Sequence, residues 1–403
     1  MKIGIIREGK VPADSRVPLT PSQIAALDAR DDLDFVVAPS PNRCYSDEEY
    51  IKEEVSMSKD LSDCDVLMGV KEVPIDDLIP RKTYFFFSHT IKKQAYNQKL
   101  LQAVIDKEIR LLDYEVLCNE HGARVIAFGK FAGMVGAHNA LWTYGERTGH
   151  FKLSRMKDCF NYKEAVEEYN KTTFPAIKIV VTGDGRVGSG AAKVLEDMGI
   201  RRVDKKAFLN DSFNEVIFTQ VDSEDYIFSI HGNAFVKEEF YANPQNYDCN
   251  FKPFFETADV LINGIYWDNK APAFFSLEDC KDPKFNLQVI ADVTCDIAPV
   301  SSIPTTLFAS TIAEPVFGFD PKTGEQCSPY QAECIDMMTI DNLPNEMPRD
   351  ASEAFGQMFI DHVLEELLDE NSQMIEKATV AADGKLGKHF EYLSDYVTSK
   401  VSS

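Results

Sequence analysis

The sequence predicts an α/β protein built from two doubly wound domains, and three observations predict it. Short apolar runs alternate with helix-like segments along the chain, the pattern of parallel strands covered by helices. Its 403 residues exceed what one small core organises and fit two domains. Near the middle, in KIVVTGDGRVGSG (178–190), an apolar run stops at Gly183, and Gly183, Gly185 and Gly188 stand at the G-x-G-x-x-G spacing before a helical segment. The first glycine lets the chain turn sharply, the second lets backbone approach a pyrophosphate, and the third lets helix pack on strand. A strand before the triplet and a helix after it mark a dinucleotide loop, with phosphates resting on free helix N–H groups.

The first apolar run, 2–6, ends at Arg7 and Glu8. After a loop holding Arg16, Thr20-Pro21-Ser22-Gln23 opens a helix with a hydroxyl N-cap, proline at N1 and glutamine at N3. Further strands are expected at 35–37, at 66–70 running into Lys71-Glu72, at 84–87 running into Ser88-His89, and at 109–112 running into Asp113-Tyr114-Glu115. In parallel sheets ligands sit beyond the carboxyl ends of the strands. That is where the chain places Glu8, Lys71, Glu72, His89 and Glu115. Each alone suits a solvated charge or a structural histidine, but together they form a candidate site on one sheet edge.

Residues 124–145 (RVIAFGKFAGMVGAHNALWTYG) read as a connecting helix whose glycines permit close packing, with Arg124 suited to a substrate carboxylate. Beyond the glycine loop a second strand is expected at 215–221, ending at Asp222. A carboxylate there takes the ribose hydroxyls and disfavours a 2′-phosphate, which favours NAD over NADP. Asp222 lies further past Gly188 than the usual roughly 20 residues, and Asp204 is closer but less strand-like. Residues 231–256 read as an insertion. Strands are expected at 260–265, 289–293 and 307–309, ending near Tyr266, Asp292 and Thr311, and a surface loop or hairpin at 315–329. An amphipathic helix at 351–368 returns the chain toward the first domain, and the tail to Ser403 reads as helical and charged. No internal repeat is present.

Composition narrows the functional classes. With 42 Lys and Arg against 65 Asp and Glu, the net charge of −23 repels phosphate backbones and anionic lipids, so no nucleic-acid or membrane partner is expected. Nine cysteines without a C-x-x-C pair read as reduced thiols of a cytoplasmic protein, and no metal site is expected. The start has no signal-peptide layout, and no apolar run reaches about 18 residues.

The stretches SRVPLTP, GVKEVP, FFSHTIKKQ, LLDYEVL, RVIAFGKFAG, GDGRVGSGA, INGIYW, ADVTCD and IDNLPNEMPRDASE spread over nearly the whole chain. In them the chain resembles the lysine-forming saccharopine dehydrogenases, within the wider group of alanine dehydrogenase and the nucleotide-binding part of transhydrogenase. The resemblance implies two Rossmann-like domains with a cleft between them. These would be a catalytic domain of 1–130 plus 348–403, completed by C-terminal helices, and a dinucleotide domain of 131–347. By motif it makes Lys71 and His89 the acid–base pair, Arg16, Arg124 and Phe128 substrate contacts, and Glu72 and Glu115 carboxylates that tune the site. Arg186, Val187, Tyr266, Val293 and the run Ile340, Asp341, Asn342, Leu343 match cofactor contacts. The implied activity is NAD-dependent cleavage of saccharopine to lysine and 2-oxoglutarate, or its reverse, by a monomer or small homo-oligomer. Segments 200–256 and 315–329 are longer than the family pattern and bear on the substrate. Two other readings are an alanine-dehydrogenase-like deaminase and a non-catalytic NAD-binding regulator, which would not need Lys71 and His89.

Overall fold

The computed structural model describes residues 1–398; residues 399–403 of the expected helical tail lie outside the described residues. The chain forms two compact units, one made of Met1–Ala127 with the segment from Pro348 onward, the other of Phe128–Met347.

In the first unit the apolar runs become β1 (Lys2–Ile5), β2 (Asp34–Val37), β3 (Ser56–Met57), β4 (Val66–Met68), β5 (Thr83–Phe86) and β6 (Arg110–Asp113). They pair in parallel in the order β6-β5-β4-β1-β2-β3. The chain winds outward from β1 to β3, then restarts at β4 on the other side of β1. The strand order therefore reverses between β1 and β4, the switch point at which open α/β sheets form a crevice. The helix at Pro21–Asp28 has the predicted capping box, in which Thr20 Oγ1 accepts from Gln23 N at 3.3 Å and Gln23 Oε1 accepts from Thr20 N at 3.0 Å.

The second unit repeats the winding with β7 (Lys178–Thr182), β8 (Arg201–Arg202), β9 (Ile217–Val221), β10 (Ile227–Ser229), β11 (Tyr247–Cys249), β12 (Val260–Asn263), β13 (Val289–Asp292), β14 (Val316–Asp320), β15 (Glu325–Cys327) and β16 (Ile335–Met338). Its main sheet runs β15-β14-β16-β13-β12-β7-β9-β8, with the switch point between β7 and β12. Strands β7, β12, β13 and β16 are buried almost throughout. Burial on both faces is why they read as continuous apolar runs instead of alternating ones. The long helix begins at Gly129 and ends at Thr148. A Cβ on Gly133 would lie 1.8 Å from Val187 O, and one on Gly190 would lie 2.1 Å from Lys130 O. This helix and the one at Arg186–Asp197 therefore meet backbone to backbone, as the glycines predicted.

Three elements differ from expectation, and segment 315–329 takes one of its two expected forms. Residues 307–309 are not a strand; the place beside β13 belongs to β16, whose IDMM sequence carries the fully buried Asp336. Asp336 is tolerated there because its carboxylate accepts from Arg147 Nη1 at 2.9 Å and Tyr330 N at 2.7 Å. Segment 315–329 is a hairpin, β14–β15, laid antiparallel on β16. The helix expected at 351–368 breaks at buried Val363 into Pro348–His362 and Leu364–Leu368. The tail is not wholly helical: β17 (Thr379–Ala382) pairs antiparallel with β6, and β18 (Lys385–Leu386) follows it. It covers an edge that would otherwise expose unpaired backbone.

Candidate functional site

The strand ends of the first unit bring charged groups together. At the switch point Glu8, just past β1, reaches the turn after β4, where its carboxylate accepts from Val70 N at 2.5 Å and Lys71 N at 3.0 Å. Burial pushes the Glu8 carboxyl up to about 7, against the pull of those two amides. Burial also pushes the Lys71 ammonium down to about 8, and the cations of Arg16 and Lys10 add to the effect. Buried Arg16 lies fork to fork with buried Asp14, Nε to Oδ1 at 2.9 Å and Nη2 to Oδ2 at 2.6 Å.

Glu72 links this group to the end of β5. Its Oε1 lies 2.6 Å from His89 Nδ1, and its Oε2 3.2 Å from Lys10 Nζ. Burial alone would raise the Glu72 carboxyl, but the His89 contact and the Lys10 charge bring it down to about 2. His89 holds a left-handed backbone, φ 52°, and its ring stacks on Phe87. Glu115 lies 2.9 Å from Lys92 Nζ and 3.6 Å from Arg124 Nη1, and these cations lower its carboxyl despite burial. Arg124 is paired with Cys118 in an isolated bridge, outside the helix expected for it, and its guanidinium lies over the Phe87 ring at 5.7 Å. Phe128 belongs to the second unit and precedes its long helix.

In the second unit Gly183 follows β7 with φ +90°, a conformation open to glycine at no steric cost. A Cβ on Gly188 would stand 1.9 Å from Gly183 O, so only hydrogen fits. At Gly185, the N-cap of Arg186–Asp197, a Cβ would meet nothing within 4 Å. The loop thus leaves open space at its middle glycine, before a helix start that no side chain caps, and fits a pyrophosphate. Arg186 is exposed and Val187 half-buried. Asp222 follows β9, the neighbour of β7, whereas Asp204 caps Lys205–Asn210 by accepting from Lys206 N and Ala207 N, which occupies its carboxylate locally. Asp222 and the loop residues Gly183, Asp184 and Gly185 line one pocket with Tyr266, which is 80% exposed. Val293 follows β13 and packs where Gly136 has no side chain. In the last run Ile340 and Leu343 are buried, Asn342 is half-buried and Asp341 is exposed.

Several supporting residues escape sequence reasoning. Buried Asp113 accepts from Ser88 N, Ser88 Oγ and Glu115 N, tying the turn before His89 to the turn of Glu115. Beneath the second switch point, Asn263 accepts from Thr182 Oγ1 and donates to Asp292 Oδ1 and Ser302 Oγ. Burial pushes the Asp292 carboxyl up to about 6. Their one signal in sequence is a polar residue closing an apolar run. Lys10 and Lys92, which touch Glu72 or Glu115 from loops, and Asn97, which touches Glu72 from a single 3-10 turn, carry no signal.

Residues 4–135 match the family model described as alanine dehydrogenase/PNT, N-terminal domain. The NAD(+), L-lysine-forming saccharopine dehydrogenase of Emericella nidulans is 30% identical, covering 94% of this chain and 95% of that protein. The mitochondrial alpha-aminoadipic semialdehyde synthase of Bos taurus is 27% identical over 94% of this chain but only 46% of its own length. The chain thus spans about half the length of that group of relatives. A solved L-alanine dehydrogenase shares the fold with a TM-score of 0.68 at 15% identity, covering 99% of this chain and 100% of that one. No helix among the described residues is long and apolar enough to cross a membrane.

Proposed function

The chain belongs to the family of the NAD-dependent, L-lysine-forming saccharopine dehydrogenases, and on that footing we propose that it interconverts saccharopine and water with lysine and 2-oxoglutarate. The observation that carries the reading is Lys71, a half-buried lysine brought down to about 8, on the same strand-end edge as the Glu72–His89 pair. A lysine serves as a base near neutral pH only when desolvation or neighbouring cations lower its pKa, and both act on Lys71.

Lys71 takes the proton of the substrate's secondary amine, which frees the nitrogen lone pair. Bound NAD supplies the hydride acceptor. Water then adds to the resulting imine carbon, and His89 accepts the water proton. Glu72 holds His89 Nδ1, which leaves Nε2 as the working nitrogen. Collapse of the carbinolamine breaks the C–N bond, with a proton returned to the departing amine of lysine. Arg124, held by Glu115 and the Phe87 ring, pairs with a substrate carboxylate, and Arg16 adds positive charge next to Lys71. Gly183, Gly185, Arg186, Val187 and Gly188 would hold the pyrophosphate of the dinucleotide, and Asp222 its ribose. Tyr266, Val293 and Ile340 to Leu343 would contact the nicotinamide part, which supplies the hydride acceptor.

NADH oxidation by the purified chain tests this reading, with lysine plus 2-oxoglutarate in one assay and pyruvate plus ammonium in another. Turnover in the first alone is expected. Turnover in the second alone would replace the reading with a deaminating one.

A further inference from the structure

Lys237 stands where the fold places cofactor selectivity, yet it comes from outside the glycine loop. It opens the short helix Lys237–Ala242, between β10 and β11 of the small sheet. Its Nζ lies 2.7 Å from Asp222 Oδ2 and 3.4 Å from both carboxylate oxygens of Asp184. In dinucleotide-binding sheets the carboxylate after the second strand accepts from the ribose 2′-hydroxyl and repels a 2′-phosphate. Here that carboxylate carries an ammonium on one oxygen, while its other oxygen lies 3.5 Å from Ser223 Oγ, and the side chain also caps the short turn Ser223–Asp225. The lysine side chain keeps 36% exposure and lies beside the pocket of Gly183, Gly185 and Asp222.

Building on the dinucleotide reading above, we propose that Lys237 is a selectivity-determining residue that makes the ribose site accept a 2′-phosphate as well as a free 2′-hydroxyl. Asp222 Oδ1 accepts from the hydroxyl of NADH, and the Lys237 ammonium meets the extra phosphate of NADPH. Without Lys237, two carboxylates, Asp184 and Asp222, would face that phosphate unopposed. A charge-assisted hydrogen bond between ammonium and phosphate is the interaction at stake. A purely structural tether, holding the helix to the loop, would instead affect both dinucleotides alike.

Equilibrium titration of the full chain with NADH and with NADPH, read by nicotinamide fluorescence, separates these cases without any turnover. The wild-type chain should bind both saturably. Lys237→Met should weaken NADPH about tenfold or more while moving NADH by less than about threefold. Asp222→Asn, which leaves the ammonium in place, should shift the preference toward NADPH. Parallel loss of both dinucleotides in Lys237→Met, or absence of NADPH binding to the wild type, would overturn the proposal. Failure of the wild type to bind either one would instead overturn the dinucleotide reading on which it rests.

Discussion

At Lys71, the proposed function and stability pull in opposite directions. The fold lowers its ammonium from 10.5 to about 8 by burial and by Arg16 and Lys10, so the protonated form is disfavoured in the folded state. Between those two pH values the unfolded chain binds more protons, and stability rises with pH; below about 8 the full cost is present. Lys71→Met should cut turnover by roughly 10²–10⁴-fold and raise stability at pH 7 by up to about 3 kcal/mol, read as a higher urea midpoint. An unchanged rate would remove Lys71 from the chemistry, and an unchanged midpoint would show that solvent reaches it. Glu72 has the opposite sign. Burial alone would raise its carboxyl, but His89 and Lys10 bring it from 4.5 to about 2, so its contribution holds above 4.5 and is lost as the pH falls toward 2. Glu72→Gln should cost on the order of 1–2 kcal/mol at pH 7, allowing for its partial exposure, and nearly nothing at pH 2. Equal losses at both pH values would assign the effect to packing.

At the scale of elements, the second and third glycines of the proposed dinucleotide loop separate fold from function. Gly188→Ala would press a methyl to 1.9 Å from Gly183 O, and backbone cannot yield as a flexible side chain does. The helix must then lift from β7, and both thermal stability and NADH binding should fall. Gly185→Ala places its methyl in open space. It should fold with an unchanged melting temperature and bind NADH at least tenfold more weakly, because the methyl occupies the volume proposed for the pyrophosphate. Normal NADH affinity in Gly185→Ala would move the phosphates elsewhere. The same contrast explains what the sequence disclosed. Strands such as β7, β12 and β13 were legible because burial on both faces demands unbroken apolar runs. Strand β16 was not, since Asp336 interrupts it and its partner Arg147 lies far off along the chain. Lys71, Glu72, His89 and Glu115 could be placed because they follow such runs. Their partners Lys10 and Lys92 in loops and Asn97 in a single 3-10 turn are brought in only by tertiary structure.

Over the whole molecule, chain order sets which unit can complete itself first. The second unit is one continuous segment, Phe128–Met347, with a core of its own around Val180, Leu261, Ile290 and Met337. The first needs both ends of the chain. Val17 N donates to Ser352 Oγ across 335 residues, and Gln98 Nε2 donates to Tyr396 O across 298. Its sheet edge at β6 is covered only when β17 arrives. Closing so long a loop costs only slightly more free energy than closing a shorter one, but non-local pairing is slow. Folding of the second unit removes most of that loop and brings the ends within reach of each other. Refolding from urea should therefore restore NADH binding, read by nicotinamide fluorescence, in an earlier phase than turnover with lysine and 2-oxoglutarate. The late phase should lengthen selectively in a Gln98→Ala variant, which loses a contact to the chain end, while the early phase stays unchanged. Simultaneous return of binding and turnover, or equal slowing of both phases, would mean that the two units fold as one cooperative body.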